Sequence, residues 1–223
     1  MAPVLDSVQD STLSPTFADF FTKQTQETLF NTLMTNLYGY KAVEIKGHVD
    51  TVLAEFAAEK EKGSQLFRDR QIQEARVSWQ EAVYELEKLH QSSSWPNLVR
   101  RGGDQFVSQI APLYFLMQLN IAHIQIANMQ NMDFGADIMA EGALKSAVRS
   151  MKRGFWKIDY RHNPSVQHLA KLRYRYAMFM RLEASPQNAD RALRYIDGAL
   201  RLQPGDAALV RERENILAWK GQL

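Results

Sequence analysis

The sequence predicts an all-α protein assembled from antiparallel helix pairs, and three observations lead there. Apolar residues recur at three- and four-residue intervals through most of the chain, the spacing that gathers them on one face of a helix. With 11 glycines and 7 prolines in 223 residues, long stretches run free of both, whereas a sandwich of short strands needs a turn about every 8–12 positions. The periodic stretches are separated by short polar turns, the connection that lays two helices side by side.

Composition bounds the rest. Hydrophobic residues at 45% and charged residues at 23% match an ordinary folded domain with material for a continuous core, so one extended helical domain is the simplest organisation. The absence of cysteine excludes disulfides, thiolate zinc sites and a cysteine nucleophile. The opening MAPVLDSVQDSTLSP has neither the basic start nor the apolar run of a secretory signal. No later stretch holds about eighteen uninterrupted apolar residues, and the expectation is a cytoplasmic chain without a membrane span. A formal charge of +2 is too small to imply a nucleic-acid partner by itself.

Residues 1–15, rich in Ser, Asp, Pro and Thr, read as a flexible leader. Residues 16–48 read as an N-terminal helical extension: Phe17, Phe20, Phe21, Leu29, Leu33 and Leu37 form a stripe that ends near Gly39. Tyr40–Gly47 fits a short strand or a helical turn equally well. Residues 49–223 form the helix-pair domain. From His48 to Arg70, Val52, Leu53, Phe56, Leu66 and Phe67 mark one helix; after the polar break at Asp69–Gln71, Ile72, Ala75, Trp79, Ala82, Val83, Leu86 and Leu89 mark its partner. QSSSWPNLVRRGGD, Gln91–Asp104, reads as a long connection within an insert near 91–108. Ile110–Met129 and Phe134 to about Lys152 make a second pair around NMQNMD, and a second insert near 153–165 follows. Val166–Leu182 and Ala189–Leu202 make the third pair around EASPQN. A last amphipathic helix, from about Asp206 to Lys220, caps the C-terminal end with its Arg and Glu face outward.

Little in the chain speaks for catalysis. GxGxxG, P-loop and GxSxG patterns are absent, and the five histidines, His48, His90, His123, His162 and His168, include no HExxH pair or recognisable metal spacing. His123, on an apolar stretch, can line an inner groove or sit satisfied in the core. Glu59 with Glu61 and Glu212 with Glu214 read as solvated helix faces. No enzyme activity, cofactor or metal is expected. Arg149, Lys152, Arg153, Lys157 and Arg161 mingle with Phe155, Trp156 and Tyr160, a composition able to clasp single-stranded nucleic acid. The stronger reading is a helix C-terminus with basic residues and a loop anchored by its aromatic rings.

KEKGSQLFRDRQIQEARVSWQEAVYEL resembles the tetratricopeptide repeat. Gly63 stands where the two helices of that repeat touch, and Ala75, Trp79 and Ala82 take the small-large-small positions of its second helix. Ala192, Ile196 and Ala199 repeat the pattern, and Ala136 and Ala143 echo it weakly. The spacing keeps no period of about 34 residues, so inserts are required. The resemblance implies a right-handed superhelical array of helix pairs, with an extra N-terminal helix and a C-terminal capping helix.

The chain is similar, more narrowly, to the repeat domains of co-chaperones and immunophilins, which hold the EEVD tail of cytosolic heat-shock chaperones in a carboxylate clamp. That likeness implies peptide-binding roles for Lys60 and Ser64 on the first helix, Asn120 on the third, and Lys171 and Arg175 on the fifth. Two terminal carboxylates need several charge-assisted donors converging from separate helices, and four-residue spacing puts each pair on one face. Ser64 departs from the family's asparagine, and its hydroxyl reaches less far than an amide. The implied function is a protein-binding adaptor, co-chaperone-like; the alternative is a repeat scaffold that binds another protein without a clamp.

Overall fold

A computed structural model describes residues 45–223, with side chains from Val49 onward; the leader and the N-terminal helix at Phe17–Gly39 lie outside the described residues. All regular structure in the described residues is helical, in seven α-helices and one 3-10 turn. They are α1 (Ile45–Arg68), α2 (Ile72–Gln91), α3 (Trp95–Gln130), α4 (Ala136–Ser150), α5 (Val166–Leu182), α6 (Ala189–Leu202) and α7 (Ala207–Lys220), with the 3-10 turn at Pro186–Asn188. Val49–Leu223 forms one compact unit.

Each helix pair turns in the same way. Two residues after the last residue of α1, α3 and α5, the chain passes through a left-handed residue: Arg70 (φ 62°), Met132 (φ 60°) and Ala184 (φ 55°). In the first two turns the loop closes with a six-residue bond, Gln71 N–H to the Leu66 carbonyl at 2.9 Å and Asp133 N–H to the Asn128 carbonyl at 3.1 Å. This is the helix-ending motif that glycine normally serves. The chain uses arginine, methionine and alanine instead. Side-chain caps begin α5 and α7 instead: Ser165 Oγ accepts the His168 N–H at 3.2 Å, and Asp206 accepts those of Ala208 and Leu209 at 2.8 and 3.2 Å.

Side-chain size governs how close the pairs come. In the first pair the Trp79 indole lies on Gly63, where a Cβ would stand 2.4 Å from Nε1. The indole N–H donates to the Lys60 carbonyl at 3.1 Å. Ala75, Ala82, Ala140, Ala147, Ala192 and Ala199 are all buried, small residues at the positions where a neighbouring helix approaches. Along the chain α2 packs on α3, α3 on α4 and α5, α4 on α5, and both α5 and α6 on α7, with the most extensive packing between α3 and α4 and between α5 and α6.

The expected connection at Gln91–Asp104 is corrected by the structure: from Trp95 it is helical, continuous with the core helix except for a break at Gly103 (φ 57°, ψ −150°). Ser, Pro and Gly mislead here. Pro96 lies in the first turn of α3, where its missing N–H costs no bond, and Trp95 and Leu98 are buried. By length and composition α3 could cross a membrane, but 67% of its apolar window is buried inside the protein.

Residues 151–165 carry no helix and form a strap tied to three elements. Trp156, buried, donates its indole N–H to the Ser150 carbonyl at 2.9 Å. Its own carbonyl accepts the Trp95 indole N–H at 3.0 Å, and the Phe155 carbonyl lies 2.8 Å from His90 Nε2. The Phe155 ring stacks on His90 at 4.9 Å. These aromatic residues anchor the strap.

The outward Glu face expected of α7 is corrected at one position. Glu212 is 3% exposed and accepts two bonds from Arg181 of α5, at 2.7 and 3.2 Å. A buried carboxylate requires such a partner, and this one comes from 31 residues away.

Candidate peptide-binding groove

Three helix faces carry the residues named from the sequence. Lys60, Ser64 and Phe67 share a face of α1, Asn120 and His123 a face of α3, and His168, Lys171 and Arg175 a face of α5. The Phe67 ring meets the His123 ring at 5.9 Å between centroids, which joins the first face to the second. His123 in turn feels the charge of Arg175, which joins the second to the third.

His123 and Arg175 define the character of this region. Burial, then the Arg175 charge, pushes the His123 imidazole down to about 4, although the residue is exposed. Burial likewise pushes Arg175 down to about 10, offset in part by Tyr174, although the residue is only half-buried. Both side chains are thus crowded by neighbouring protein while part of each stays open to solvent. His168 is lowered by burial first, then by Lys171 and Arg175, so this face of α5 is positive and His168 disfavours a further charge. At neutral pH Arg175 stays cationic while the histidines are neutral.

The five named residues differ in readiness. Arg175 has no hydrogen bond or ion pair among the described residues, nor has Asn120. Lys171 is exposed. Lys60 is less free: its ammonium lies 3.3 Å from the Glu61 carboxylate, which Arg68 holds more closely at 2.7 Å. Exposed pairs of that kind are worth less than about 1 kcal/mol, so an incoming carboxylate can compete. Ser64 is committed, since its hydroxyl donates to the Lys60 carbonyl one turn back at 2.9 Å. Its lone pairs remain, but the donor that an asparagine amide would offer does not.

No family model, curated protein or solved structure matches the chain. Among the described residues no group of three or more His, Asp or Glu could hold a metal. The sequence leaves open whether His123 faces a groove or the core, and Phe67 is hidden in it as one member of an apolar stripe. The signal was their helical offset, Phe67 seven residues from Lys60 and His123 three from Asn120.

Proposed function

We propose that the helix pairs form a right-handed superhelical array of tetratricopeptide type, and that the protein is a cytoplasmic adaptor that binds another protein and catalyses nothing. In this reading α1, α3 and α5 line the inside of the array, and the groove captures an acidic C-terminal peptide of the EEVD kind carried by heat-shock chaperones. The observation that supports it most is Arg175, a crowded guanidinium with no counter-charge among the described residues. Desolvating a cation without a partner is costly, and a peptide carboxylate would supply the missing charge through paired N–H donors. The order of packing along the chain supports the array.

A second reading, a scaffold that docks a different protein without a clamp, is favoured by the committed hydroxyl of Ser64. One experiment separates the two. A fluorescent peptide ending in EEVD is expected to bind the wild-type protein more tightly than its C-terminally amidated form, with binding that weakens as salt rises. The Lys171→Ala/Arg175→Ala double variant should keep its helical circular dichroism and lose at least about tenfold in affinity. Equal binding of the two peptides would exclude the clamp and leave the scaffold.

A further inference from the structure

A second basic site lies on a different face of α5. Arg173 is two residues from both Lys171 and Arg175, about 200° around the helix, and so points away from the groove. It borders a cleft between α5 and α6 of about 330 Å³, lined also by Arg191, Arg194, Tyr195, Gly198 and Arg201. We propose that this cleft binds a small anion carrying two or three phosphate groups.

Four guanidinium groups line the cleft and no acidic side chain does. Arg191, Arg194 and Arg201 recur along one face of α6, and like charges three or four positions apart destabilise a helix. Among the described residues none of the four arginines forms an ion pair. The two acids of α6 that could have neutralised them are engaged elsewhere. Asp190 accepts from Lys220 at 2.7 Å, although it also feels Arg194, and Asp197 pairs with Arg213 at 2.8 Å.

The cleft is also shaped. Arg173 Nη1 donates to the Gly198 carbonyl at 2.8 Å, and the side chain lies closely against that glycine: a Cβ there would stand 2.9 Å from Nη1 and 3.2 Å from Cδ. The remaining Arg173 N–H groups are thereby held in place for a ligand rather than fixed only after it arrives. Arg191 Nη1 is steadied by Asn188 Oδ1 at 3.2 Å. Tyr195 forms a firm wall, its ring stacked on Tyr176 at 4.9 Å with 13° between planes. Arginine forks match phosphate oxygens in pairs, and several forks around one small cleft suit a ligand with several phosphates. The volume stands at the lower end of ligand clefts, which favours a small anion over a polymer.

The test is isothermal titration of the full chain with tripolyphosphate at fixed ionic strength. Saturable 1:1 binding is expected, tighter than for orthophosphate and unchanged in the Lys171→Ala/Arg175→Ala variant. Arg194→Gln should weaken it about tenfold or more. Gly198→Ala is the decisive variant, because the new methyl displaces Arg173 without altering any charge. It should keep wild-type circular dichroism and weaken tripolyphosphate by a similar factor. Wild-type affinity in Gly198→Ala, or no saturable binding at all, would overturn the site, the first by reducing it to diffuse charge. Sedimentation with vesicles containing a bisphosphorylated inositol lipid then distinguishes the source of the phosphates. Co-sedimentation released by tripolyphosphate assigns a lipid headgroup; protein left in solution, together with tripolyphosphate binding, assigns a soluble anion.

Discussion

The Arg181–Glu212 contact shows how much one side chain can decide. Glu212 is 3% exposed, and its two bonds from Arg181, with a longer one from the Asn215 amide at 3.3 Å, satisfy both carboxylate oxygens. Removing a partner leaves an uncompensated charge between α5 and α7. Arg181 keeps 21% of its side chain exposed, so water recovers part of the loss. Glu212→Ala is expected to destabilise the protein by about 2–3 kcal/mol, read as a lower urea midpoint. Glu214→Ala, two positions on and exposed, should move it by less than about 0.5 kcal/mol. The sequence shows two similar glutamates here. Only the distant Arg181 tells them apart, which is why a reading by local pattern placed both in solvent.

At the scale of elements, periodicity made most helices legible: α5 and α6 fall at Val166–Leu182 and Ala189–Leu202, the spans their apolar stripes mark. The first turns of α3 were not legible, because Ser, Pro and Gly at the start of a helix look like a loop until Trp95 and Leu98 are known to be buried. The three turns fall at the polar breaks the sequence marks, but the left-handed conformation of Arg70, Met132 and Ala184 was not legible, with no glycine to mark it. A non-glycine residue there costs about 1–2 kcal/mol, partly recovered because glycine gains freedom in the unfolded chain. Ala184→Gly is therefore expected to stabilise the protein by about 0.5–1 kcal/mol, seen as a higher urea midpoint. An unchanged or lower midpoint would mean that the turn relaxes without the left-handed residue. In the candidate groove the helix faces were legible from spacing. What the neighbours do to them, such as Glu61 beside Lys60 or the bond that occupies Ser64, depends on geometry that spacing does not carry.

Across the whole molecule, pH acts through the histidines. Burial, then His168, pushes His162 down to about 4, and burial is the first cause of lowering at His90, His123 and His168 as well. Between the ordinary value of about 6.5 and these lowered values, the unfolded chain binds protons that the folded one refuses. The histidine contribution to stability is complete above about pH 6.5 and is lost as pH falls through 4. The urea midpoint is expected to drop between pH 7 and pH 5, where few carboxylates titrate. His162→Gln should flatten that dependence, and an identical slope in the variant would assign it to other groups.

The strap at residues 151–165 bears on how such a chain can change over time. In arrays whose units touch only their neighbours, units can be gained, lost or exchanged. Here His90 at the end of α2, Trp95 at the start of α3 and Ser150 at the end of α4 all bond to the same two residues, Phe155 and Trp156. Deleting either of the first two pairs would strand bonds belonging to the other. The ends of α2, α3 and α4 therefore depend on one another through the strap, and none of the three can be removed without loosening what anchors the other two.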